Sequence, residues 1–167
     1  MIVELITLFF SIIFLCFGYV LLFGAPYLPT MNKQVEAAIK LANLKPGQTL
    51  LELGSGDGRV LIAAAQAGLN AVGYELNPVL FFISWLRTRR YGKQIKIELG
   101  NFWTNEWPKC DAVYVFLLPR LMPKLEQKIK NESFFNTPII SFAFKFNKIK
   151  PLNDIDGVFL YQLNDKD

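Results

Sequence analysis

The stretch LLELGSGDGRV, Leu50 to Val60, constrains the fold more than any other part of the chain. An apolar run carrying an acid, Glu52, passes at once into Gly54-Ser55-Gly56-Asp57-Gly58, and VLIAAAQAG, which follows Arg59, has the composition of a helix. Strand, glycine loop, helix is the order in which an α/β sheet presents a ligand to a helix N-terminus. A glycine-rich turn alone is a weak signal, so its meaning depends on what surrounds it.

The 167 residues give room for one domain of ordinary size. At 52% hydrophobic and 19% charged the chain is too apolar for disorder, and much of the excess lies before residue 24. A net charge of +4 fits weak affinity for an acidic membrane surface. No basic run interleaved with aromatics appears, so nucleic acid is not an expected partner. Cys16 and Cys110 lie far apart and histidine is absent, which argues against a disulfide and against a zinc site; no metal is expected. Nothing in the pattern indicates an oligomeric state.

Ile2 to Phe23 (IVELITLFFSIIFLCFGYVLLF) carries Glu4 as its single charge. As a helix it would be about 33 Å long, enough for a hydrocarbon core of roughly 30 Å. The absence of a basic n-region and of a small-x-small cleavage site argues against a signal peptide. Residues 1–23 are therefore expected to be a single transmembrane anchor, with Tyr19 and Tyr27 near the membrane interface. Lys33, Lys40 and Lys45 follow the segment while its N-terminal flank has no basic side chain, so the catalytic domain is expected on the cytoplasmic side.

Residues 24–30, with Pro26 and Pro29, read as a short linker, and residues 31–167 as the globular domain. Thr30 is placed to cap a helix running to about Leu44. Strands are expected at Thr49–Leu53, Asn70–Glu75, Ile95–Leu99, Asp111–Phe116, Pro138–Phe144 and Val158–Leu163. Helices are expected at Arg59–Ala67, from Pro78 to near Gly92, and at Met122–Lys130. This alternation predicts a Rossmann-like, doubly wound, mostly parallel sheet.

Three ligand classes use such a glycine loop. A phosphate-cradling loop needs Gly-Lys-Ser/Thr, whereas Gly58 is followed by Arg59 and Val60. A dinucleotide loop needs a third glycine where Arg59 stands, and Asp57 sits poorly beside a pyrophosphate. S-adenosylmethionine carries a sulfonium, an ammonium and a carboxylate but no phosphate, and acids beside backbone N–H groups suit that mixture. Glu75, at a strand end roughly 20 residues past the loop, is placed to accept both ribose hydroxyls. Asn101 is where an adenine amino group is read, and Phe102 either covers the base or packs in the core. Glu52 has two open readings: it orients the loop through backbone hydrogen bonds, or it faces the cofactor amine. Tyr27, Tyr74 and Asp57 are candidates for a base by position alone, and no catalytic residue is named.

The ordered set PYLPT, KPGQTLLELGSGDGRVLIAAAQAG, AVGYELNP, GNFW and YVFLLP resembles a family of small seven-strand-type (class I), S-adenosylmethionine-dependent methyltransferases. Its best-known members are the mitochondrial lysine methyltransferases that modify the ATP synthase c subunit and the adenine nucleotide translocase. The likeness covers about Pro26 to Leu163. It implies that Glu52, Gly54, Ser55, Gly56, Asp57 and Gly58 form the cofactor loop, that Glu75 and Leu76 flank the ribose, and that Asn101 and Phe102 lie at adenine. It further implies that Tyr27 to Thr30 close over the methionine end and that Phe116 to Pro119, with Leu117, line the transfer site. Two departures stand out. Asn101 occupies a position where the family usually has Asp, and the chain stops soon after the sixth expected strand, so that either the sheet is shortened or its edge is completed by something else. A protein-lysine methyltransferase acting at a membrane is the leading expectation. A lipid or small-molecule methyltransferase and a non-catalytic cofactor- or partner-binding module are the alternatives.

Overall fold

The computed structural model describes residues 1–23 and 27–163, without the side chains of 19–23. Helix α1 covers Ile2–Phe23, followed by α2 (Asn32–Ala42), β1 (Thr49–Leu53), α3 (Arg59–Gln66), β2 (Asn70–Glu75) and α4 (Pro78–Thr88). Beyond them come β3 (Ile95–Leu99), β4 (Ala112–Val115), α5 (Met122–Asn131), β5 (Pro138–Phe142), β6 (Asn153–Ile155) and β7 (Val158–Gln162). The sheet order is β3-β2-β1-β4-β5-β7-β6, parallel from β3 to β5, with β7 antiparallel to both β5 and β6.

The chain leaves β1 toward β2 and β3, then returns to place β4 on the other side of β1. A crevice opens at the strand ends where the order reverses, and in open α/β sheets ligands bind there. Both faces of the sheet are apolar because both are covered. Leu50, Ala112 and Ile140 meet α2 and α3 through Val35, Leu41, Leu61 and Ala64, while Leu51, Val113 and Ile139 meet Leu125 and Ile129 of α5. The second face has few helices. Aromatic side chains in irregular segments fill it instead, with Trp107 edge-on to Phe134 at 5.4 Å and Phe146 edge-on to Tyr161 at 4.9 Å.

The sheet is not shortened. Its edge is completed by β6, whose three residues Asn153-Asp154-Ile155 are too few and too polar to show a period in sequence. A short, polar edge strand also resists pairing with other chains. The expected C-terminal strand is the inner arm of that hairpin. Thr30 does not cap α2, whose N-cap is Met31; its hydroxyl is instead within 3.0 Å of the Tyr114 hydroxyl.

The expected transmembrane span is not shown. Helix α1 forms over the expected range, but among the described residues no helix is long and apolar enough to cross a membrane. Tyr19 and residues 24–26 of the linker lie outside the described residues. The Tyr27 ring lies against the glycine loop.

Candidate active site

The loop after β1 is pinned at both ends by backbone hydrogen bonds. Gly54 N–H and Ser55 N–H both donate to Tyr74 O (3.0 and 2.8 Å), and Gly58 N–H donates to Ser55 O (2.8 Å). Gly56 and Gly58 have φ of 55° and 78°, a region L-residues reach at a cost. Each glycine also permits a close approach. A Cβ on Gly56 would lie 2.9 Å from the Tyr27 ring, and one on Gly58 only 2.4 Å from Ser84 Oγ.

Glu75 joins this loop to the next helix. Its carboxylate accepts Gly56 N–H at 2.7 Å and Asn77 N–H at 2.8 Å, while Asn77 caps α4 through Val79 N–H. Each carboxylate oxygen keeps a further lone pair for a ligand hydroxyl. Burial pushes the Glu75 carboxyl up, and the N–H bonds oppose that only in part.

Glu52 lies deeper. It is 4% exposed, its Oε2 has no partner, and burial pushes its carboxyl well above the usual carboxylate range, reinforced by Asp57 and Glu75. A cationic group placed beside it would favour the ionised carboxylate. Asp57 behaves differently. Burial works upward on it, but hydrogen bonds from Arg59 and Arg87 outweigh that and hold it below the ordinary value. Arg59 Nε and Nη2 each donate to Asp57 at 2.9 Å, Arg87 Nη1 pairs with the same carboxylate, and Arg59 Nη1 reaches Thr30 O at 2.7 Å. Asp57 thus serves an internal latch that ties Tyr27–Thr30 to the loop, and its charge is already spoken for.

These groups meet in one cleft, partly open to solvent. Its walls include Thr30, Glu52, Gly54, Ser55, Gly56 and Asp57, and, on the other side, Glu75, Leu76, Asn101, Phe102 and Leu117. Gly58 is not on the wall; it starts α3 and packs on α4. Asn101 Oδ1 accepts Trp103 N–H at 3.0 Å, so its carbonyl is partly committed to the turn and its amide nitrogen is the freer group. Asn101 is therefore better disposed to donate to a ring nitrogen than to accept from an adenine amino group. Sequence reasoning did not single out Arg87, Tyr114, Trp103 or Leu121. Nothing local marks them: Tyr114 lies within an apolar strand, and Arg87 reaches Asp57 only through the packing of α4 on the loop.

A family model described as the ANTKMT methyltransferase domain matches residues 52–153. The Rattus norvegicus lysine N-methyltransferase named for the ATP synthase c subunit is 36% identical over 145 residues, covering 83% of this chain and 67% of the relative. The chain belongs to this family of protein-lysine N-methyltransferases. The adenine nucleotide translocase lysine N-methyltransferase of Mus musculus is 35% identical to it over 146 residues, covering 83% and 63%. The methyltransferase spans about three fifths to two thirds of the length of the mammalian relatives it matches (67%, 58% and 60%). A solved structure described as an RNA methyltransferase from Salinibacter ruber with S-adenosyl-L-homocysteine superposes with a TM-score of 0.76 at 26% identity, covering 82% of this chain and 94% of that one.

The cofactor is S-adenosylmethionine, and the residues of the methyltransferase fit it. The cleft offers three carboxylates, of which Asp57 is held by arginines, and backbone N–H groups but no lysine for a phosphate, and the orphaned Glu52 oxygen suits a cation. A first prediction follows for Glu52→Gln, which keeps the shape and removes the charge. A carboxyl raised on folding stabilises the fold below its unfolded value of about 4.3 and loses that contribution as pH rises through the folded value. Without cofactor, the variant should unfold at the same temperature as wild type at acid pH and several degrees above it at alkaline pH. Its cofactor affinity should fall. Thermal unfolding across pH, with and without cofactor, checks both halves.

Proposed function

We propose that this methyltransferase transfers the methyl group of S-adenosylmethionine to the side-chain amine of a lysine in a protein held in or beside a membrane. In this reading α1 embeds in the bilayer and the domain stands on the cytoplasmic side. The observation that carries it is the tether. Helix α1 ends at Phe23 and Tyr27 is already part of the cleft wall. Four residue steps reach at most about 14 Å, so an embedded α1 keeps the cleft at the membrane surface. Its described apolar side chains, among them Leu5, Phe9, Phe10 and Phe14, are exposed on several sides, as an embedded helix requires.

Glu75 and the Gly54–Gly56 turn would hold the ribose, Asn101 and Phe102 the adenine, and Glu52 the methionine ammonium. When bound, S-adenosylmethionine supplies a methyl group activated on a cationic sulfonium. The chain's own contribution is placement and drying. Phe116, Leu117, Trp103 and Leu121 give the acceptor side an apolar wall, which favours the neutral amine that attacks. None of the three candidate bases serves. Burial pushes the Tyr27 hydroxyl up, and the negative charge of Asp57 adds to that. Tyr74 donates to Glu106 O at 3.0 Å, and Asp57 is latched by two arginines. The amine loses its proton to water before attack.

The test is to incubate the intact enzyme with methyl-labelled cofactor and isolated membranes. Label should be recovered as methyl-lysine after protein hydrolysis. Recovery in lipid or in RNA, with none in lysine, would overturn the proposal and favour an acceptor of that class.

A further inference from the structure

Helix α4 is amphipathic the wrong way round. Its buried positions are Leu80, Ser84 and Thr88, one stripe at i, i+4 and i+8, and two of the three are polar. The stripe is small because the glycine loop presses on it, with Ser84 and Thr88 directly behind Gly58. The opposite stripe is Phe82, Trp85 and Leu86, exposed by 59%, 48% and 43%, with the two rings stacked at 5.9 Å. A helix that buries hydroxyls and shows aromatics to solvent has an unsatisfied face.

Two further observations identify what covers it. The stripe continues into Arg89, Arg90 and Lys93, all exposed, so aromatics pass directly into cations along one surface. Arg87 is not among the free cations, since Asp57 holds it. Helix α1 also touches α4, and Phe82, Trp85 and Leu86 stay exposed in spite of that contact. Aromatic and aliphatic side chains beside a basic cluster form the pattern of a helix lying in the plane of a lipid interface, where rings sit at headgroup depth and arginines meet anionic lipid.

We propose that the Phe82–Trp85–Leu86 face of α4 docks flat on an anionic lipid bilayer, as a second membrane contact beside α1. This rests on the membrane placement proposed above and adds an orientation to it. A single tether leaves the domain free to tumble. A second contact fixes which way the cleft faces, because α4 begins at Pro78, three residues beyond Glu75 on the cleft wall.

The experiment uses the intact protein reconstituted with vesicles of phosphatidylcholine and phosphatidylglycerol, with or without brominated acyl chains. Flotation with the vesicles reports α1. The emission difference between wild type and Trp85→Phe isolates Trp85 from Trp103 and Trp107. That difference should be quenched by brominated chains. Phe82→Asp with Leu86→Asp should abolish the quenching while the protein still floats. Arg89→Gln and Arg90→Gln should each weaken docking about five-fold on anionic vesicles and leave pure phosphatidylcholine unaffected. Protein that floats with Trp85 unquenched overturns the docking face and leaves the anchor standing. Protein that does not float overturns the membrane placement, and the docking face with it. Shielding of Trp85 that rises with protein concentration in the absence of lipid assigns the face to a second copy of the chain and also overturns the proposal.

Discussion

Replacing Glu75 with alanine is expected to abolish cofactor binding and to loosen the site itself. The carboxylate does two jobs in the free protein: it accepts the N–H of Gly56 from the loop and the N–H of Asn77 from the start of α4. Alanine leaves both donors without an acceptor, and for the buried Asn77 N–H the cost is about 1–3 kcal/mol. It also removes the acceptor for the ribose hydroxyls. Two charge-assisted hydrogen bonds lost to a ligand correspond to a fall in affinity of roughly 100-fold or more. Calorimetric titration with S-adenosylhomocysteine should therefore show no binding at concentrations that saturate wild type, and thermal unfolding should shift down by several degrees. Glu75→Gln separates the two jobs. One oxygen can still accept a backbone N–H, while the amide points a donor at the other, so this variant should fall between wild type and alanine in stability. Wild-type affinity in the alanine variant would remove Glu75 from the cofactor site.

The second large effect belongs to a residue outside the cleft wall. Gly58→Ala should destabilise the protein by about 2–4 kcal/mol and lower its unfolding temperature by roughly 10 °C. Two causes add. A φ of 78° strains any residue with a Cβ, and that Cβ would stand 2.4 Å from Ser84 Oγ and 3.1 Å from Thr88 Cγ2. The two can be separated, because Ser84 Oγ is buried with no hydrogen-bond partner. Ser84→Ala alone should be close to neutral, and combined with Gly58→Ala it should restore the steric part while the backbone strain remains. Additive losses in that double-mutant cycle would mean that α4 shifts away instead of resisting.

Both predictions turn on contacts between segments that are distant in sequence, and that is where sequence reasoning fell short. Six strands were legible because their apolar runs are bounded by Gly, Pro or Asn and are long enough to show a pattern; Thr49–Leu53, Asn70–Glu75 and Ile95–Leu99 keep the expected bounds. β6 was not legible, since three residues cannot display a period and its pairing with β7 is what makes it a strand. Thr30 looked like a helix cap because threonine often is one, but Tyr114, 84 residues away, claims its hydroxyl. By local sequence Asp57 is an acid beside a cationic ligand. The local sequence shows one acid beside one arginine, and only the docking of α4 adds Arg87 and turns Asp57 into a latch.

What the sequence by itself determined is the class of fold, the loop, and the chemistry of its ligand. Strand, glycine turn and helix follow from local backbone preference, and Gly54-Ser55-Gly56-Asp57-Gly58 followed by Arg59 excludes phosphate-binding loops by residue type alone. Tertiary structure decided which groups keep a free charge. Glu52, Asp57 and Glu75 are the same chemistry in sequence, yet burial without a partner raises the first, two arginines lower the second, and two backbone N–H groups restrain the third. An acid's pKa depends on the dielectric and the partners around it, and both are set by packing that no local pattern records.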